Sequence, residues 1–169
     1  MSVIAVKITN GVATVAADSI VVSGYTQSKE KSVKLKYINN MIIGGVGSAE
    51  ELALFMLFCK TRTPKSSDDD GILEFISGFM DWKYKKISKS DIDNDYVIVF
   101  EKKCFIARGF FIKEVSHFAA IGAGMDYALT ALHLGKSAHD AVAVACDLCI
   151  YCERPVNVLV CRSSETNNN

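Results

Sequence analysis

The 169 residues include 19 basic and 19 acidic side chains; half of all residues are hydrophobic and 22% are charged. That balance excludes a disordered chain, a coiled coil and a collagen-like repeat, and the absent net charge leaves no strong electrostatic footprint for nucleic acid. No apolar run approaches the ~18–20 residues that span a bilayer. The length predicts one domain over 1–162, followed by a polar, disordered tail over 163–169. The opening segment, Met1 to Lys7, has no charged n-region and too short an apolar run for a signal peptide, which predicts a cytoplasmic protein. In that compartment the six cysteines read as thiols rather than as a disulfide framework.

The first 46 residues read as strands. Val3 to Ile8 and Val12 to Ala17 flank Asn10-Gly11, the strongest short-range hairpin signal. A polar stretch from Ser23 to Ser32 leads to an alternating strand, Val33 to Tyr37, and then to the short apolar run Met41 to Val46. Helical signals start at Ser48-Ala49-Glu50-Glu51, a capping box in which the serine accepts from the backbone and the glutamate reaches back. Leu52, Phe55, Met56 and Cys59 continue that helix face. Pro64 and Ser66 to Gly71 form a loop and a helix entry, with acidic groups suited to the helix dipole, and Ile72, Phe75, Ile76, Phe79 and Met80 mark a second amphipathic helix. Lys83, Lys85, Lys86 and Lys89 read as its solvated end, and Trp82 as a packing residue.

Strands return at Tyr96 to Phe100, Cys104 to Ala107 and Phe118 to Ile121. A helix follows over about Asp126 to Leu134, closed by Gly135. Ser137, with Asp140 three residues on, caps another that runs to about Tyr151. Pro155 stops it, and Val156 to Cys161 make the last strand. Strand and helix blocks are segregated, so the class is α+β.

Four features could carry chemistry. Ser2 follows the initiator methionine, and removal of Met1 would make it the N-terminus. Its α-amine, with an ordinary pKa of about 7.7–8.0, could then take its own hydroxyl proton. A serine at position 2 is also commonplace. Asp18 closes an apolar strand, where a carboxylate caps a turn or holds a cation. Lys34 alternates with Val33 and Leu35; if its face is inward it needs a partner, and Asp18 is the natural one. The bland alternative is a solvated lysine among Lys29, Lys31 and Lys36. Gly44-Gly45-Val46-Gly47-Ser48 lies at a strand-to-helix junction, where converging N–H groups can stabilise an oxyanion. It matches no nucleotide-binding loop.

In this order and spacing, Ser2, Asn10-Gly11, Ala17-Asp18, Lys34 and the Gly44–Ser48 junction resemble the N-terminal-nucleophile hydrolases. The closest likeness is to the proteasome β-type peptidases of the HslV kind. Ala120-Ile121-Gly122-Ala123-Gly124, the following Tyr127-Ala128 and Asp147 to Cys152 extend the resemblance over nearly the whole chain. It implies a four-layer αββα sandwich. It also implies Ser2 as nucleophile, Asp18 and Lys34 as its supporting pair, the Gly45 N–H as oxyanion donor, and Gly47 and Ala123 at the substrate. Peptide or unfolded-protein substrates, a homo-oligomeric ring and an ATP-dependent unfoldase partner follow from the same resemblance.

Two residues depart from the family pattern. Ser2 stands where the nucleophile is usually threonine, and loss of the β-methyl frees χ1. Ala123 stands where a family serine helps hold the α-amine. A catalytically weakened or silent protein on the same fold, acting as a shell or binding module, is therefore the competing reading. A small-molecule amidohydrolase is a third.

Cys146, Cys149 and Cys152 form CxxCxxC, but Val156 stands where a fourth iron–sulfur ligand would be. The bland reading is three structural thiols. The resemblance adds a Na+ or Mg2+ site on backbone carbonyls at this helix end, with no cofactor required for the reaction. His117, His133 and His139 show no ligand spacing and read as surface residues.

Overall fold

The Asn10-Gly11 hairpin forms as the sequence predicts. The computed structural model describes residues 1–161, so the tail expected over 163–169 lies outside the described residues. Strands β1 (Val3–Thr9) and β2 (Val12–Ala17) pair antiparallel, with Ala5 opposite Ala16. Asn10 and Gly11 have φ of 50° and 76°, the turn geometry that matches the twist of the flanking strands.

Two very short strands follow, β3 (Val22–Ser23) and β4 (Thr26–Gln27), inside the stretch that reads as a polar loop. Next come β5 (Leu35–Ile38) and β6 (Met41–Val46), then helices α1 (Ala49–Cys59) and α2 (Asp69–Ile87). Four more strands are β7 (Asp95–Phe100), β8 (Lys103–Arg108), β9 (Phe111–Glu114) and β10 (Phe118–Gly122). Helices α3 (Met125–His133) and α4 (Ala138–Leu148) and strand β11 (Asn157–Val160) complete the order.

One sheet runs β10-β1-β2-β11 and a second runs β5-β6-β7-β8-β9. The alternation along β1 shows how they stack. Ile4 and Val6 face Val97, Val99 and Ile106 of the second sheet, whereas Val3 and Ala5 face α3 and α4. On the far side, Ile43, Tyr96, Ile98 and Phe105 face α1 and α2 through Phe55, Phe58, Phe75 and Phe79. The result is a four-layer αββα sandwich.

Three local readings need correction. Helix α4 stops at Leu148, not near Tyr151: Cys149 turns extended (φ −103°, ψ 120°), and its burial beside Cys152 draws the chain off the helix axis. Lys34 lies one residue ahead of β5 rather than within a strand. Val33 is exposed and Leu35 buried, so these two neighbours do not share an environment. The capping box is only half made. Ser48 Oγ accepts from Glu51 N at 3.3 Å, but the Glu51 carboxylate turns inward instead of reaching back.

Candidate active site

Ser2 immediately precedes β1, and its backbone is gripped from two sides. Its carbonyl accepts the Gly124 N–H at 3.2 Å. Gly122, at φ 93°, packs so close that a Cβ there would lie 2.4 Å from the same oxygen. Only glycine fits this approach. The Ser2 side chain is buried and its hydroxyl donates to the Met1 carbonyl.

Asp18 directly follows β2 and is fully buried. Its Oδ1 accepts the Val3 N–H at 2.9 Å and Lys34 Nζ at 2.8 Å. Its Oδ2 accepts the N–H groups of Ile20 (3.0 Å) and Glu153 (3.3 Å). One carboxylate thus joins the start of β1, the end of β2, the segment before β5 and the approach to β11. A buried carboxylate with four donors is a satisfied one. Lys34 is 5% exposed. Burial lowers its pKa below the usual lysine value, and the Asp18 charge and hydrogen bond oppose that shift only in part.

The glycine junction is where β6 outruns its neighbour. Pairing with β5 ends at Gly44, while pairing with β7 continues to Val46. Beyond Gly44 that edge borders a cleft instead of a strand. The cleft holds about 180 Å³, and its lining includes Met1, Ser2, Lys34, Gly45, Gly47 and Ser48. A Cβ on Gly45 would meet Leu52 Cδ1 at 2.8 Å and the Tyr96 ring at 3.0 Å.

The structure therefore brings Ser2, Lys34, Gly45 and Gly47 to one cavity, with Asp18 behind Lys34. A hydroxyl, an ammonium and a backbone turn at one cleft can bind and polarise an acyl group. Ala123 sits on the exposed turn between Gly122 and Gly124 and is not among the cleft-lining residues. Besides Ser2, the serines Ser32 and Ser48 line the cleft. Ser19 donates to the Pro155 carbonyl and accepts from Asn157 Nδ2 instead.

The bend after α4 keeps Cys152 beside Cys149, the two thiols within hydrogen-bonding reach. Cys149 and Cys152 are buried, and burial raises the Cys146 pKa to about 11 and the Cys152 pKa further. Among the described residues no group of three or more His, Cys, Asp or Glu side chains could hold a metal ion. The Cys149 carbonyl already accepts the Cys152 N–H at 3.0 Å.

The buried Glu51–Lys83 pair is missed by the sequence reading, which places Lys83 at a solvated helix end. The signal was present: position 83 continues the apolar stripe of Ile72, Ile76 and Phe79.

No protein-family profile matches the chain, and no curated protein sequence matches it. Solved structures do. BPH of Thiobacillus denitrificans in complex with epoxomicin superposes with a TM-score of 0.80 and 18% identity, over 94% of this chain and 97% of that one. BPH in a second structure gives 0.77 and 21%, over 94% and 96%. Eukaryotic HslV from Trypanosoma brucei gives 0.73 and 16%, over 94% and 98%. The chain thus has the N-terminal-nucleophile hydrolase, proteasome-like fold and is structurally close to both BPH and HslV. Among the described residues no helix is long and apolar enough to cross a membrane.

Proposed function

We propose that this chain is an N-terminal-serine peptidase, and the observation that carries the proposal is Lys34. A lysine held by a buried aspartate opens onto the same cleft as Ser2 and Gly45. With Met1 removed, the Ser2 α-amine takes the hydroxyl proton, directly or through a water. The Ser2 Oγ attacks the peptide carbonyl carbon, and the carbonyl π pair moves onto oxygen. The Gly45 N–H donates to that oxyanion and the Lys34 ammonium lowers the cost of the alkoxide. Asp18 fixes Lys34. Collapse of the tetrahedral species breaks the C–N bond, and the departing amine takes the proton from the α-amine. Water then hydrolyses the ester and restores Ser2. Gly47, which lines the cleft, would flank the substrate; Ala123 lies outside that lining, on the turn whose glycines hold Ser2.

Peptides or unfolded polypeptides as substrates, a homo-oligomeric ring, an unfoldase partner and a cytoplasmic setting complete the reading. They are supported by the resemblance to HslV. A Na+ or Mg2+ on the backbone carbonyls around Cys146, Cys149 and Cys152 would brace the turn after α4, and no chemical step passes through it.

A silent scaffold is the second reading, favoured by Ala123. Intact mass of protein with its native N-terminus separates the two, with and without a peptide epoxyketone, which needs an α-amine and an adjacent hydroxyl together. Loss of Met1 with a single adduct, absent in Ser2→Ala, is the expected result. Retained Met1, or its loss without any adduct, favours the scaffold.

A further inference from the structure

Behind the glycine junction lies a buried polar cluster that the peptidase mechanism does not use. Asn94, 1% exposed, stands just before β7. Its Oδ1 accepts the Ser48 N–H, and its Nδ2 donates to the Ser48 carbonyl at 2.9 Å. One side chain thus fixes the two peptide planes that flank Ser48. Gly47, at φ 129°, has no room for any side chain, because a Cβ would lie 2.2 Å from Asn94 Oδ1.

Asn94 is itself held. Glu51 Oε1 accepts the Asn94 N–H at 3.0 Å and the Tyr96 hydroxyl at 2.8 Å. Glu51 Oε2 accepts Lys83 Nζ and, at 3.3 Å, the Asp93 N–H. Lys83 Nζ also donates to the Asp91 carbonyl. The Tyr96 ring is the surface on which Gly45 rests. A single carboxylate oxygen therefore anchors both backers of the turn: Tyr96 behind Gly45 and Asn94 behind Gly47 and Ser48. Helix capping alone does not explain this arrangement, since Ser48 Oγ already caps α1 by accepting from Glu51 N.

We propose that Asn94 is a positioning residue for the oxyanion-binding turn, locked in place by the buried Glu51–Lys83 pair. The inference rests on the peptidase reading. Asn94 touches no reacting atom. It sets where the Gly45 N–H points, and a misplacement of about 1 Å is worth about 10²-fold in rate.

The test compares two ligands of the mature protein. A peptide aldehyde is attacked by Ser2 Oγ; the hydroxyl proton passes to the α-amine, and the carbonyl pair becomes an oxyanion that needs the turn. The matching peptide alcohol fills the same cleft without any oxyanion. Asn94→Ala is expected to weaken the aldehyde on the order of 10–100-fold, with a matching fall in kcat, and to leave the alcohol within about twofold. Asn94→Ser, which empties less volume, is expected to move the same ratio in the same direction if the alanine variant folds poorly. Equal weakening of both ligands, or an unchanged ratio beside a lowered denaturation midpoint, overturns the positioning role while leaving the peptidase intact. Wild-type protein inert toward the aldehyde overturns the peptidase reading and this inference with it.

Discussion

Among the described residues two lysine–carboxylate pairs are buried, and their difference is access. Lys34–Asp18 and Lys83–Glu51 are both nearly solvent-free. Each carboxylate also collects backbone N–H groups, so each pair is satisfied in the way burial requires. Yet Lys34 lines a cleft beside a serine, while Lys83 is closed off between Glu51 and the Asp91 carbonyl. The lesson is that a buried ion pair says little about chemistry until one asks what its free face meets. Lys34 meets a cavity, and Lys83 meets only protein.

Crossed truncations would sharpen that contrast most. Lys34→Met is expected to lower peptide hydrolysis by about 10²–10³-fold. Its fold should survive, because Asp18 keeps three N–H donors. Glu51→Ala should act on the fold first, and on activity only through the turn it braces. It leaves Lys83, the Tyr96 hydroxyl and the Asn94 N–H without their acceptor, and is expected to cost about 3–5 kcal/mol in a urea titration. If Lys34→Met lost more stability than Glu51→Ala, the two pairs would have the same structural job.

The pairs should also part company in pH. Burial alone would raise the Glu51 pKa, but Lys83, the Tyr96 hydroxyl and two backbone N–H groups together hold it below the ordinary value. The unfolded chain then takes up its proton first as pH falls through about 4.3, so stability is lost on the acid side. Lys34 acts at the other end. Its pKa is lowered, so the folded protein releases that proton before an unfolded lysine does at about 10.4, and stability rises with pH across that window. Cys59, Cys104, Cys146, Cys152 and Tyr96, whose pKa values burial raises, pull stability down over the same alkaline range. The Lys34 contribution is therefore read as a difference: urea midpoints should fall more steeply with alkaline pH in Lys34→Met than in wild type, and parallel curves would assign no such linkage to Lys34.

The smallest expected effect is a gain. Ala123→Ser adds a hydroxyl to the turn whose neighbours grip the Ser2 backbone, and it should raise kcat by about two- to tenfold. No change would mean that the exposed turn carries the side chain away from the α-amine.

Much of this arrangement is legible in the sequence because it depends on short-range signals. Asn10-Gly11 needs two positive φ values and supplies the residues for them. Asp18 at a strand end and Lys34 in an alternating run predict each other as partners. Lys34 finds Asp18 although it precedes β5, because the ion pair and not the pleat sets its direction. Asn94 is different. Its partner Ser48 is 46 residues away, and nothing local marks an asparagine before a strand as the brace of a distant turn. Strands β3 and β4 are two residues each and too short for any period, and Phe111–Glu114 hides because its two apolar residues are adjacent and do not alternate with its two charged ones. Lys83 was readable from helical spacing, but four lysines close together draw the eye to charge before position.

The layer under α3 and α4 has a consequence of its own. It is built of small side chains: Ala5, Ala16, Ala120, Ala128, Ala141 and Ala145 all belong to it. Gly124 sits at its rim, with Cys152 Sγ, Val3 Cβ and Ala145 Cβ all within 3.1 Å of where a Cβ would be. Such an interface tolerates shrinkage far better than growth. A single added methyl would push α3 outward and carry the Gly122–Gly124 grip on Ser2 with it. Sequence drift on this side is therefore one-directional: substitutions that swell the seam would be purged even though they touch no polar group.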